Sequence, residues 1–172
     1  GVRQAVQLKR HTAHGGQVME KRILSAEELM PEYTELLKAG AELPLSVSGA
    51  SMLPFLYPGR DAVFLKAPSG KFEWGDILLY RRTNGRYILH RLQKIRDDGL
   101  YFAGDAQDVI EGPVLPEQVV GTVTGVRRCG RYVGRKSPSW LFYKYVWRLS
   151  LGRRGRMFTL FRRIKNTFGR KK

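Results

Sequence analysis

Between Leu45 and Cys129 the chain alternates short runs of apolar and β-branched residues with clusters of turn formers. This constrains the fold more than any other feature. The runs are Leu45–Ser48, Ala62–Lys66, Ile77–Arg82, Arg86–Ile95, Leu100–Ala103 and Val119–Arg127. Between them stand Pro58-Gly59, Pro68-Ser69-Gly70, Asn84-Gly85 and Asp97-Asp98-Gly99. Such clusters break regular structure because glycine reaches positive φ and proline fixes φ. Asn84-Gly85, flanked by Ile77-Leu-Leu-Tyr80 and Tyr87-Ile-Leu89, predicts a hairpin. Many short strands at this spacing predict a mainly β protein: a small, curled, mostly antiparallel β-domain.

The flanking segments read differently. Ser25-Ala-Glu-Glu28 has the form of a capping box, and Leu29, Met30, Tyr33, Leu36 and Leu37 follow helical spacing. Pro31 is expected to kink this helix or start a second segment, and Gly40 to end it. An N-terminal helix within residues 19–40 follows. Residues 1–18 lack the apolar centre of a secretory signal, whereas Met19 opens the more regular Met-Glu-Lys-Arg-Ile-Leu. The expectation is that 1–18 form a non-native or disordered extension, in which His11 and His14 hold no metal. Nowhere does the chain approach the roughly 20 apolar residues of a spanning helix.

Charge divides the chain. The net charge is +16, and 16 of the 31 Lys and Arg residues lie between Arg127 and Lys172, which holds no Asp or Glu. The first 126 residues are neutral. This predicts a neutral β-domain over residues 41–130 and a basic tail over 131–172. Within the tail, Met157, Leu160, Phe161, Ile164 and Phe168 share a helical face. Such a basic amphipathic helix suits an anionic membrane surface, or packs on its own domain with a solvated rim. Nucleic acid is the weaker alternative partner, with Tyr143, Tyr145, Trp147, Phe158 and Phe161 as stacking groups. The expected location is cytoplasmic and peripheral at the membrane. Cys129 is the only cysteine, which excludes an internal disulfide; a semi-buried thiol in a strand is expected.

Three segments carry chemistry. In Ser48-Gly-Ala-Ser-Met-Leu-Pro54 a strand ends in Ser-Gly, and Gly49 permits the backbone geometry that exposes Ser51 Oγ beside backbone N–H groups. A serine hydroxyl is a weak nucleophile and needs a base. His90, in Tyr87-Ile-Leu-His-Arg-Leu92, supplies an imidazole with an ordinary pKa of about 6.5. Strand alternation places Ile88, His90 and Leu92 on one face. Gly104-Asp-Ala-Gln-Asp-Val-Ile-Glu111 carries Asp105, Asp108 and Glu111 in one loop. One of these carboxylates is expected to accept a hydrogen bond from His90 and fix its tautomer. No motif implies a cofactor or a metal.

Ser48-Gly-Ala-Ser-Met-Leu-Pro54, Gly75-Asp-Ile-Leu-Leu-Tyr80, His90-Arg-Leu92, Gly104-Asp105 and Val119-Val-Gly-Thr-Val-Thr-Gly125 together resemble the signal peptidase I and SOS-repressor peptidase superfamily. They follow that family's order over roughly residues 45 to 126. The resemblance implies its curled β-fold and a serine peptidase, with Ser51 as nucleophile. His90 falls where bacterial enzymes have lysine and where endoplasmic-reticulum and archaeal signal peptidases have histidine. Asp105 matches the acid of the Gly-Asp motif, and Glu111 stands six residues on, where the histidine-type enzymes have Asp. Of the loop acids, Asp105 and Glu111 are favoured over Asp108.

The leading expectation is an endopeptidase that cleaves a peptide or protein substrate through an acyl-enzyme on Ser51, as in signal- or leader-peptide processing. The resemblance implies small residues, such as Ala, before the cut. One alternative is a self-cleaving regulator of the SOS-repressor kind, for which Ala39-Gly40 has suitable chemistry. The other is a non-enzymatic module that binds nucleic acid through its basic tail.

Overall fold

The computed structural model describes residues 3–9 and 19–147, with side chains from Leu29 onward. The first strand, β1 (Arg3–Lys9), pairs antiparallel with β2 (Met19–Ser25). Part of the expected extension is therefore a strand, and the expected helical segment also begins as one. Val6 and Leu8 alternate too briefly to announce it. Helix α1 (Ala26–Lys38) runs through Pro31 as one element. It ends as expected: Gly40, at φ +91°, donates to Leu37 C=O and Ala41 donates to Leu36 C=O. Leu29, Met30 and Leu37 are buried and Tyr33 half-buried, while Leu36 is exposed, so the buried stripe is narrower than the spacing implies.

Eight strands then form one open antiparallel sheet: β3 (Leu43–Ser46), β4 (Asp61–Lys66), β5 (Ile77–Arg81), β6 (Tyr87–Arg96), β7 (Gly99–Ala103), β8 (Glu111–Val114), β9 (Val119–Arg128) and β10 (Arg131–Gly134). Their order is β3-β4-β9-β5-β6-β7-β8, with β10 also on β9. The mainly β expectation holds, and the six anticipated runs agree with the observed strands to within two residues. At the Asn84-Gly85 hairpin only Gly85 takes positive φ, and the loop closes through Arg82 N–H to Arg86 C=O. It is therefore wider than the two-residue turn that Asn-Gly most favours.

Strand β5 is buried on both faces. Ile77 and Leu79 join a core with Met30, Met52, Phe55 and Trp140, while Leu78 and Tyr80 join a second with Leu92 and Phe102. The folded unit extends past the expected boundary at residue 130. Strand β10 belongs to the sheet, and α2 (Pro138–Leu141), capped by Ser137, continues as a π-helical turn over Phe142–Val146. Trp140 is buried edge-on against Phe55, which also meets the Tyr143 ring. Cys129 is not semi-buried in a strand. It is exposed in the β9–β10 turn at φ +48°, beside Gly130 at +78°. The anticipated amphipathic helix over 157–168 lies outside the described residues. Among those described, no helix is long and apolar enough to cross a membrane.

Candidate active site

The Ser51 turn follows directly from β3. Val47 N–H donates to Asp61 C=O, which ends the β3 register, and Gly49 then takes φ +74°. A Cβ there would meet nothing within 4 Å, so conformation rather than space requires glycine. The turn is closed by Leu53 N–H to Ala50 C=O and Leu56 N–H to Met52 C=O. Met52, Phe55 and Leu56 are buried beneath it, and Ser51 is left half-exposed. The Gly104 loop braces the turn from the other side. Ala106 N–H donates to Ser51 C=O at 2.8 Å, and a Cβ at Gly104 would overlap that carbonyl. Glycine of the Gly-Asp motif is thus required by close backbone approach.

His90 lies on β6 opposite Leu78 of β5 and is 4% exposed. Its Nδ1 is 3.4 Å from the Tyr80 hydroxyl. Burial pushes the imidazole pKa down to about 4; Arg82 adds to the depression, while Glu111 and Asp105 oppose it. Ser51 and His90 line one cleft of roughly 400 Å³, together with Val47, Met52, Leu79 and Leu89. No hydrogen bond joins Ser51 to His90 among the described residues. A larger open groove, about 520 Å³, lies between α1 and the β5–β6 hairpin. It is lined by two hydroxyl-bearing residues, Thr34, whose hydroxyl is tied to Met30 C=O at 2.7 Å, and Tyr87.

The three acids separate. Asp105 is fully buried, and its two oxygens take Arg91 Nε and a terminal guanidinium nitrogen at 2.8 and 2.7 Å. Arg91 also donates to Gly75 C=O at 3.0 Å and stacks over the Phe55 ring. Trp147 Nε1 donates to the Asp105 backbone carbonyl at 2.8 Å. Glu111 forms an ion pair with Arg82. Its carboxyl is held below the usual range: burial opposes this, but hydrogen bonds from Arg82 and Tyr80 outweigh it. Asp108 is exposed. The direct carboxylate–His90 hydrogen bond expected from the sequence is therefore absent among the described residues. The reason is strand alternation: adjacent residues on β6 face opposite ways, so Arg91 meets Asp105 on one face while His90 meets Tyr80 on the other.

Tyr80, Arg82 and Arg91 were not singled out as site residues. Tyr80 ends the Gly75-Asp-Ile-Leu-Leu-Tyr80 motif and Arg91 follows His90 in His90-Arg-Leu92, so both lie within the motifs that carry the resemblance. Their partners depend on strand register, which the motifs do not carry. Among the described residues, no group of three or more His, Cys, Asp or Glu is placed to hold a metal. Comparison of the chain with protein-family models, with curated proteins and with solved structures returns no match in any of the three.

Proposed function

We propose that this chain is a serine endopeptidase of the signal peptidase I and SOS-repressor type, with Ser51 as nucleophile and His90 as general base. One observation carries the reading. A hydroxyl on a glycine-shaped turn and a neutral imidazole line the same cleft. In the reaction, His90 takes the Ser51 Oγ proton as oxygen attacks the scissile carbonyl, and returns it to the departing amine. Water then hydrolyses the ester by the same path reversed. Backbone N–H groups of the Ser51 turn stabilise the oxyanion.

The cleft suits an extended peptide. Among the described residues, β3 pairs only with β4 and β7 pairs with β6 only from Arg91 onward, so the outer edge at Ser46 and the β7-side edge at Tyr87–His90 carry no strand partner. A peptide lying along these edges places alternate side chains on the apolar wall of Leu45, Val47 and Leu89. Small residues before the cut fit such a wall. The proposed substrates are proteins or peptides of the leader- or signal-peptide class, met at an anionic membrane surface on the cytoplasmic side. The tail beyond Trp147, which has ten basic residues and no acidic one, favours that surface. Self-cleavage at Ala39-Gly40 is disfavoured because that peptide belongs to the α1 cap.

The test is covalent labelling by a fluorophosphonate probe. Wild-type protein labels at one site, and Ser51→Ala and His90→Ala do not, with folding unchanged by circular dichroism. Because the His90 pKa lies near 4, labelling of the free protein rises through about pH 4 and is flat from about pH 5.5 to 8. An unperturbed histidine would put that limb near 6.5. Undiminished labelling of Ser51→Ala sinks the proposal.

A further inference from the structure

We propose that Tyr80 is the positioning residue of the His90 base: its hydroxyl accepts from His90 Nδ1–H and donates to the Glu111 carboxylate, leaving Nε2 bare for Ser51. The inference rests on the reading of Ser51 and His90 as nucleophile and base. It assigns the tautomer and explains how an acid that does not touch His90 still acts on it.

The argument runs from the donors and acceptors. An ionised carboxylate only accepts, and a guanidinium only donates. Glu111 already holds Arg82, and the Tyr80 hydroxyl is the other hydrogen-bonding group that acts on its carboxylate. Tyr80 has one hydroxyl proton, and it is spent on a hydrogen bond to the carboxylate. The phenolic oxygen is then left to accept, from Arg82 on one side and from His90 Nδ1, 3.4 Å away, on the other. A neutral imidazole carries a single N–H, so a proton on Nδ1 strips Nε2.

The surrounding fold holds this order. The Tyr80 ring stacks on Phe102 with centroids 4.4 Å apart, and Glu111 stands opposite Phe102 in the β7–β8 ladder. Strand register pairs Tyr80 with Ile88 and Leu78 with His90, which puts Tyr80 and His90 on the same face of the β5–β6 pair. The charged groups acting on His90 are Glu111 from β8, Arg82 beyond the end of β5 and Asp105 after β7. Arg82 is paired with Glu111 and Asp105 with Arg91, so Tyr80 is the hydrogen-bonding side chain left to the imidazole. When Nε2 takes the Ser51 proton, Nδ1 keeps its own. Tyr80 keeps its proton too, because burial and Glu111 raise its pKa. The new positive charge is met by a hydroxyl dipole oriented toward a carboxylate.

The test pairs nitrogen NMR of the imidazoles with probe-labelling rates, using full-length protein. His90→Gln identifies the His90 signals. Wild type is expected to show Nδ1–H and bare Nε2 at pH 7. Tyr80→Phe should give a mixture of tautomers and slow Ser51 labelling by roughly 10- to 100-fold. That is less than the ~10⁴-fold loss seen when a triad carboxylate is neutralised, since a hydroxyl is the weaker partner. Glu111→Gln should also mix the tautomers, which keeps the test decisive if Tyr80→Phe misfolds. Wild type with Nε2–H, or a tautomer and labelling rate indifferent to both substitutions, overturns the relay while leaving Ser51 and His90 in place. Nδ1–H in a wild type that never labels at Ser51 overturns the catalytic reading and, with it, the role given to Tyr80.

Discussion

Asp105 and Glu111 are two acids six residues apart that both act on His90 by charge and not by a hydrogen bond, and the sheet uses them differently. Asp105 sits in the Gly104 loop, fully buried and held by Arg91, with its backbone carbonyl pinned by Trp147. Glu111 sits at the start of β8, part-exposed and paired with Arg82. The first ion pair is enclosed among Gly75, Phe55 and the C-terminal helix, so it organises the turn that carries Ser51. The second is part-exposed and contributes little to stability, but Tyr80 and His90 respond to it. Burial thus assigns one acid to architecture and the other to the electrostatics of the base.

Removing the buried charge should have the largest effect. Asp105→Asn leaves Arg91 enclosed without its counter-ion, and breaking such a pair costs about 3–5 kcal/mol. Urea unfolding measures this, and a loss below about 1 kcal/mol would mean that Arg91 finds another partner.

Next comes the proton on His90. Its folded pKa of about 4 lies below its unfolded value of about 6.5, so the unfolded chain binds the proton first as pH falls. The contribution from neutral His90 is complete above about pH 6.5 and declines as pH drops toward 4. It amounts to about 3 kcal/mol at 1.36 kcal/mol per unit. His90→Gln should flatten that part of the stability–pH curve, and an unchanged slope in the variant would refute the depressed pKa.

Trp147→Phe is expected to cost about 1 kcal/mol, the worth of one ordinary hydrogen bond. It tests whether the segment after residue 130 supports the Asp105 loop; no change in midpoint would return that segment to the role of a detachable tail. Glu111→Gln should alter stability least, by less than about 1 kcal/mol, as for a part-exposed pair. A Glu111 variant as unstable as Asp105→Asn would erase the distinction between the two acids.

The strands were readable from the sequence because alternation and turn chemistry are local. Asn84-Gly85 marks the β5–β6 hairpin whichever turn it adopts, and Gly40 ends α1 through its own backbone hydrogen bonds. Elements held by distant packing were not readable. Strand β10 exists because Cys129 and Gly130 both accept positive φ in a two-residue turn, and cysteine gives no warning of that. Trp140 looks like part of an exposed basic tail until Phe55 is brought beneath it.

The candidate site divides along the same line. Sequence by itself determined that Ser51 stands two residues after a glycine, which permits an unusual backbone there, and that a histidine and three acids stand downstream. It also determined, through the period of two, that His90 and Arg91 face opposite sides of β6. What only the tertiary structure decided is which acid stands on which side. That choice depends on the approach of the Gly104 backbone to Ser51 and on the register that sets Glu111 against Phe102. Both are long-range geometry: a carboxylate six residues from another can be carried to the opposite face of a curled sheet by one strand pairing, and no local preference records it.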